Sequence, residues 1–371
     1  MVKEERLAQE FMELVRIDSL TFQERQMADT LKQKLEAMGL SVYEDDAGSK
    51  IGGNAGNLLC TVKGNKKAPA VLLMAHMDTV VPGKGKKPVV SGDIIKTDGT
   101  TVLGGDDVAG IACILEAIRV IKENNLEHGD IQIAFTVAEE GGLWGAKHLD
   151  YDKIYAKYGI VLDEGGPIGT AAIKAPSQNK IDVFVKGKAS HAGVSPEKGI
   201  SAIQIAAEAI SGMKLGRIDE ETTANIGIIS GGQATNIICD RVEIKAEARS
   251  RDQAKLEAQT RHMKECFEKA AAKFGGEVEF VSENAYPAFN IDEEDEIIKV
   301  LETAAQKAGI RLNLEATGGG SDTNIVNQKG IKAVNISVGM DKVHSVEEQI
   351  SIKDMASATR FLVEIITSID R

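Results

Sequence analysis

The sequence predicts an α/β protein: a helix-wrapped, mixed but mostly parallel sheet interrupted by an inserted ferredoxin-like α+β lid domain. Three observations point there. Apolar, strand-like runs alternate with long helical stretches, the pattern of parallel strands joined by crossover helices. The middle of the chain instead reads β-α-β-β-α-β, the ferredoxin-like order. The chain, at 371 residues, is long enough for two domains and a sizeable core.

Residues 3–38 read as helical segments with a turn between them. Thr21-Phe22-Gln23-Glu24 has the spacing of a capping box, and Leu31, Leu35 and Met38 continue an apolar stripe beyond it. Strands are expected at 57–64 and 70–76. Residues 106–122 are apolar nearly all round, as befits a helix packed on a sheet. Further strands fall at 130–138, 158–163 and 331–339. In the insert, 180–187, 223–232, 240–250 and 277–285 read as strands, and 199–213 and 252–274 as helices. The boundaries that follow are 1–175 with 286–371 for a discontinuous larger domain, which resumes with the helix 292–309, and 176–285 for the lid. Pro176 and the Pro287 region are its candidate hinges.

Bulk composition removes several function classes. The net charge of −12, from 56 acidic against 44 basic residues, lacks the basic surface a nucleic-acid binder needs. No apolar run approaches the ~18–20 residues that span a bilayer. The N-terminus alternates charged and apolar residues and has no secretion-signal core. Cys60, Cys113, Cys239 and Cys266 are scattered and form no paired motif, so they read as reduced core thiols. A cytoplasmic protein without membrane or nucleic-acid partners is expected. His128, His148 and His262 belong to no motif and are expected at the surface.

Function is suggested by how the strands of the larger domain end. One ends at His76, with Asp78 two residues on; another runs into Glu139 and Glu140; a third ends at Asp163; the last is followed by His344. Asp106 and Asp107 open the apolar helix behind a glycine loop. In open α/β sheets, ligands bind at the carboxyl ends of strands. So much negative charge cannot share a cleft without cations to neutralise it. Imidazoles among carboxylates suit Zn²⁺, Mn²⁺ or Co²⁺ better than Ca²⁺. A two-metal hydrolase fits, with one glutamate of the adjacent pair on metal and the other free to move a proton. Asp78 would then hold the distal nitrogen of His76. Residue type and spacing leave open which glutamate is the base and which aspartate joins the ions.

The blocks AHMDTV (75–80), TDGTTVLGGDDVAG (97–110), FTVAEEGG (135–142), VLDEGG (161–166), GKASHAG (187–193) and HSVEEQ (344–349), in this order, resemble the co-catalytic metallopeptidases. That family includes peptidase T, carboxypeptidase G, aminoacylase and succinyl-diaminopimelate desuccinylase. The resemblance covers essentially the whole chain, and 97–110 is nearest to peptidase T. It implies that His76 and Asp163 bind one ion, Glu140 and His344 a second, and that Asp106 bridges them. It makes Glu139 the general base and Asp78 the residue supporting His76, with zinc as the first choice of metal and cobalt or manganese as alternatives. Asp107 would shape its loop, since the family often has a cis peptide at this pair. On the lid, His191 would stabilise the tetrahedral intermediate, from its own chain or a partner's, and Asn236 and Arg249 would hold a substrate carboxylate. Gly319 and Gly320 would lend backbone to the substrate end. The substrate implied is a small peptide, cleaved as by a tripeptide aminopeptidase; deacylation of an N-acyl amino acid and carboxypeptidase action are the alternatives, and a homodimer through the lid is possible. Departures occur at Val108, where the family often has lysine, and in GGLWGAKHL (141–149), which differs from peptidase T.

Overall fold

The computed structural model describes residues 1–370 and divides them into two compact units. Among the described residues, unit 1 comprises 1–173, 290–317 and 321–370; unit 2 comprises 174–289 with 318–320.

Unit 1 is built on a mixed sheet. Its centre is four parallel strands in the order Ile131–Thr136, Val71–His76, Tyr158–Gly165, Lys332–Asp341. Antiparallel strands extend it on both sides, Leu58–Val62 beyond the first and Gln349–Ser351 beyond the last. Every residue of Val71–His76 and of Ile131–Thr136 is buried, because both faces are covered, and this is why these strands lack polar alternation. Leu72 and Met74 pack with Val326 of the helix Asp322–Gln328. The long helix Gly105–Asn124 packs on the central strands and against Ile352–Ser368. The sequence reading does not assign the helices Asp322–Gln328 and Ile352–Ser368. The first follows a glycine run and spans only 7 residues, capped by Ser321 and Asn324 in a capping box.

Unit 2 is a five-stranded antiparallel sheet in the order Gly216–Arg217, Thr222–Gly231, Arg241–Ser250, Ser177–Lys186, Glu277–Tyr286. The helices Ala202–Ser211 and Gln253–Phe274 pack on it, burying Val183, Val185, Ile244, Leu256, Met263 and Phe267. Asp252 caps the longer helix through Lys255 N. Alternation is clear here because only one face is covered.

Two local expectations fail. The capping box at Thr21 does not form: the helix begins at Arg25 with no side-chain cap, and both Thr21 and Glu24 are used elsewhere, as described below. His128 is buried rather than at the surface, its Nδ1 bonded to Gly129 O at 2.6 Å, because its loop folds back along residues 64–66.

Candidate metal centre

The parallel strands deliver their terminal side chains to one place. His76 is the last residue of its strand, and Asp163 lies in the last half of the neighbouring one. Glu139 and Glu140 follow the strand Ile131–Thr136 by three and four residues. His344 sits in the turn between Lys332–Asp341 and Gln349–Ser351. Asp106 enters at the start of the helix Gly105–Asn124. The side chains meet: His76 Nε2 lies 2.9 Å from Asp106 Oδ1 and 3.8 Å from Asp163 Oδ1. His344 Nε2 lies 2.8 Å from Glu140 Oε1 and 3.1 Å from Asp106 Oδ2. Asp106 therefore touches both histidines, one with each oxygen.

A second layer holds these groups by their backbones. Asp78 accepts from Glu139 N at 2.9 Å and Glu140 N at 3.2 Å, and its Oδ1 is 3.4 Å from His76 Nδ1. Thr21 Oγ1 donates to the same carboxylate at 2.8 Å. Glu24 Oε1 accepts from Ala138 N at 3.0 Å and from Phe22 N at 2.8 Å. Asp107 takes His76 N and Gly110 N, each at 3.1 Å, which uses both of its oxygens. Asn335 clasps the Asp163 backbone in both directions. The Asp106–Asp107 peptide is cis. Ala138 and His344 have positive φ, 49° and 62°, conformations that cost non-glycine residues free energy and cluster at functional sites.

Charge follows from this packing. Burial pulls His76 towards neutrality, yet its bonds to Asp106 and Asp78 outweigh that and hold its pKa well above the ordinary value. The bonds of His344 to Asp106 and Glu140 push it up to about 10. Burial opposes ionisation of Asp106, but the two imidazoles overcome it and keep that carboxyl below the usual range. Asp163 and Glu139 are pushed well up, first by burial, then by Asp106 for the one and, against the pull of His76, by Asp322 and Glu140 for the other. The direction of these shifts is that of a cluster that tolerates its anions only with added positive charge.

The chain is similar to known proteins. Residues 72–368 match the family described as Peptidase family M20/M25/M40. The chain belongs to that family. This M20 peptidase is 50% identical over 366 residues to Uncharacterized protein YqjE of Bacillus subtilis, covering 99% of each chain. It is 29% identical to Peptidase T of Fusobacterium nucleatum, over 94% of this chain and 85% of the relative. It superposes on the crystal structure of aminopeptidase PepT from Bacillus cereus with a TM-score of 0.91 at 46% identity, and on that of a tripeptidase from Staphylococcus aureus at 0.96 and 43%, each over 100% of both chains. It is a peptidase T-like M20 member and hence a hydrolase of the peptidase kind.

M20 members are typically metal-dependent, and the donors of this M20 peptidase fit that requirement. Ligand atoms of His76, Asp106 and Glu140 lie within 4.8 Å of one another, as do those of His76, Asp107 and Asp163. A mixed imidazole and carboxylate set suits zinc, manganese or cobalt. Asp107 is already committed to two backbone N–H groups, which favours Asp163 as the donor of the second set.

The remaining residues expected at the site lie in unit 2. His191 is exposed, its Nδ1 accepting from Gly193 N at 3.2 Å, and Ala192 N donates to Asn236 O at 2.9 Å. Arg249 is bound side-on to Glu247, through Nε and Nη2 at 3.0 Å each, and its Nη1 reaches Gly318 O at 3.5 Å. Gly320 lies against Tyr286: a Cβ there would be 2.2 Å from the end of the ring, so any larger residue would have to displace that side chain. Gly319 belongs to the same unit 2 loop segment, 318–320. Sequence reasoning missed Thr21, Glu24 and Asn335. Their side chains bond groups far away in the sequence, the Asp78 carboxylate for Thr21 and the backbones of Ala138 and Asp163 for the other two, so no spacing could have revealed them.

Proposed function

We propose that the chain is an exopeptidase that removes the N-terminal residue of short peptides, tripeptides above all, with two divalent ions. His76 and Asp163 would hold one, Glu140 and His344 the other, and Asp106 both; zinc is the first choice and cobalt or manganese the alternatives. Ions held there would polarise the scissile carbonyl and acidify water. The residues have separable tasks. Glu139 takes a proton from the attacking water and passes it to the leaving amine, a task suited to a buried carboxyl whose proton affinity is raised. Asp78 orients His76 and fixes the Glu139–Glu140 backbone together. His191, from this chain or a second copy, donates to the developing oxyanion, and Asn236 and Arg249 hold the substrate's far carboxylate, with Gly319 and Gly320 beside its end. A homodimer would form through unit 2, where Thr222–Gly231 has a free edge after Ala224 and exposes Ile228 and Ile229.

The observation that carries this reading is the convergence of His76, Asp106, Glu140 and His344 with Glu139 beside them. The experiment is release of the N-terminal residue from a tripeptide panel by the zinc-loaded protein, alongside N-acyl amino acids and peptides read for C-terminal release. Cleavage of the tripeptides that is lost on chelation supports the reading. Turnover confined to N-acyl amino acids, or release from the C-terminus, replaces the aminopeptidase by a deacylase or a carboxypeptidase.

A further inference from the structure

Two adjacent glutamates follow His344, and the structure separates them. Glu347 is exposed, with Lys342 Nζ 3.3 Å from its carboxylate. Glu348 is only 2% exposed, and both its oxygens leave the turn: Oε2 accepts from Gly104 N at 2.8 Å and Oε1 from Asp106 N at 3.0 Å. Ahead of the regular part of the helix Gly105–Asn124 the backbone is irregular, with φ of 74° at Gly104 and non-helical angles at Asp106 and Asp107, so its N–H groups need acceptors from elsewhere. A carboxylate from 244 residues away does that work. It accepts from the N–H groups on either side of Gly105, where the chain at Asp106 and Asp107 is kinked and not yet regularly helical. Space is reserved for it: a Cβ on Gly105 would come within 3.1 Å of Glu348 Oε1.

We propose that Glu348 is a positioning residue of the metal centre, fastening the turn that carries His344 to the loop that carries Asp106 so that the two donors form one preset unit. The geometry is direct. Glu348 is four residues from His344, and it holds the peptide N–H of Asp106 itself. His344 has positive φ in a largely exposed turn, a conformation that needs outside support. The bond between His344 Nε2 and Asp106 Oδ2, 3.1 Å, is what that fastening secures. The inference rests on these two residues being metal donors, as proposed above.

The test uses the full-length chelated protein and three variants, with zinc binding read by calorimetry and Co²⁺ binding by its visible absorption. Glu348→Gln loses the anionic bidentate acceptor, and the affinity of the more weakly held ion should fall roughly 10- to 100-fold, the usual effect of removing a ligand's support. Gly105→Ala crowds Glu348 by a few tenths of an ångström at Oε1, so affinity should fall several-fold, with the unfolding midpoint read alongside. Glu347→Gln should change neither. An unaltered metal affinity and Co²⁺ spectrum in both Glu348→Gln and Gly105→Ala, with at most a lower unfolding midpoint, would overturn the proposal and leave Glu348 as a structural brace of the Gly104–Asp106 loop. Failure of the wild-type protein to bind either ion would instead sink the metal-centre reading beneath it.

Discussion

Two clusters of charged side chains, one in each unit, have opposite character. In unit 1, Asp106, Asp163, Glu139 and Glu140 gather with two imidazoles, and the result is a set of pKa values pushed far from their ordinary positions. In unit 2, Arg249 has its guanidinium paired with Glu247, which also takes Gln178, and the charges cancel locally. The first cluster is costly as it stands and becomes favourable when cations are added. The second is self-sufficient. Unmet charge, rather than the number of charged residues, is what distinguishes a chemical site from a structural network.

The largest effect expected from that difference is at Glu139. Replacing it with glutamine keeps shape and removes the proposed base, so kcat for peptide hydrolysis should fall roughly 10²- to 10⁴-fold with metal content unchanged. Retained activity at near wild-type level would assign the proton transfer elsewhere. Chelation follows. If the anions of unit 1 need cations, zinc at a thousand times its dissociation constant should stabilise the fold by about 4 kcal/mol, read as a shift in the urea midpoint between loaded and chelated protein. The same comparison on a variant lacking both His76 and His344 should show almost none of it.

The sequence disclosed the candidate metal centre unevenly, for a physical reason. His76, Glu139, Glu140, Asp163 and Asp106 were legible because strand endings and a helix start are local features, and parallel strands bring their ends together. The inserted unit was legible from its β-α-β-β-α-β order. Thr21 and Glu24 were misread because a capping box and two long-range bonds require the same residue types: a hydroxyl and a carboxylate three positions apart. Their choice was made by tertiary contacts with Asp78 and Ala138, which no local pattern contains. The buried His128 escaped for the same reason, whereas the helix Asp322–Gln328 escaped because it is only 7 residues long and follows a glycine run.

Glu24 extends the contrast to pH. Its carboxyl is fully buried, Oε2 has no hydrogen-bond partner, and burial followed by the charge of Asp78 pushes its pKa up to about 7. A raised acid pKa means that between about 4.5 and about 7 the folded chain holds a proton that the unfolded chain has released. Stability from this group is therefore present below that window and lost as pH rises through it. Glu24→Gln, which retains the acceptor for Ala138 N, should be relatively more stable than wild type at pH 8 than at pH 4, by on the order of 3 kcal/mol in chelated protein. Equal pH profiles would mean that water or a rearrangement solvates Glu24 after all.

The smallest expected effect is in unit 2, and it decides what Arg249 is for. Its side chain and that of Glu247 are 27% and 32% exposed, so their pairing is partly screened and Arg249→Ala should cost only about 0.2–1 kcal/mol of stability. That is a weak structural reason for an arginine. Glu247 occupies the edge formed by Nε and Nη2, which leaves the Nη1 side with a single long contact to Gly318 O. A guanidinium held by one edge is preset to offer the other, and a substrate carboxylate is the partner whose geometry matches it. Tripeptides with a free C-terminus and the same peptides as C-terminal amides separate the two roles. If Arg249 serves substrate, Arg249→Ala should raise KM for the free acids several-fold, leave kcat nearly unchanged, and barely alter either constant for the amides. If it only steadies the loop of Gly318, acids and amides should suffer alike, and unit 2 would then be as self-contained in function as its charges are in structure.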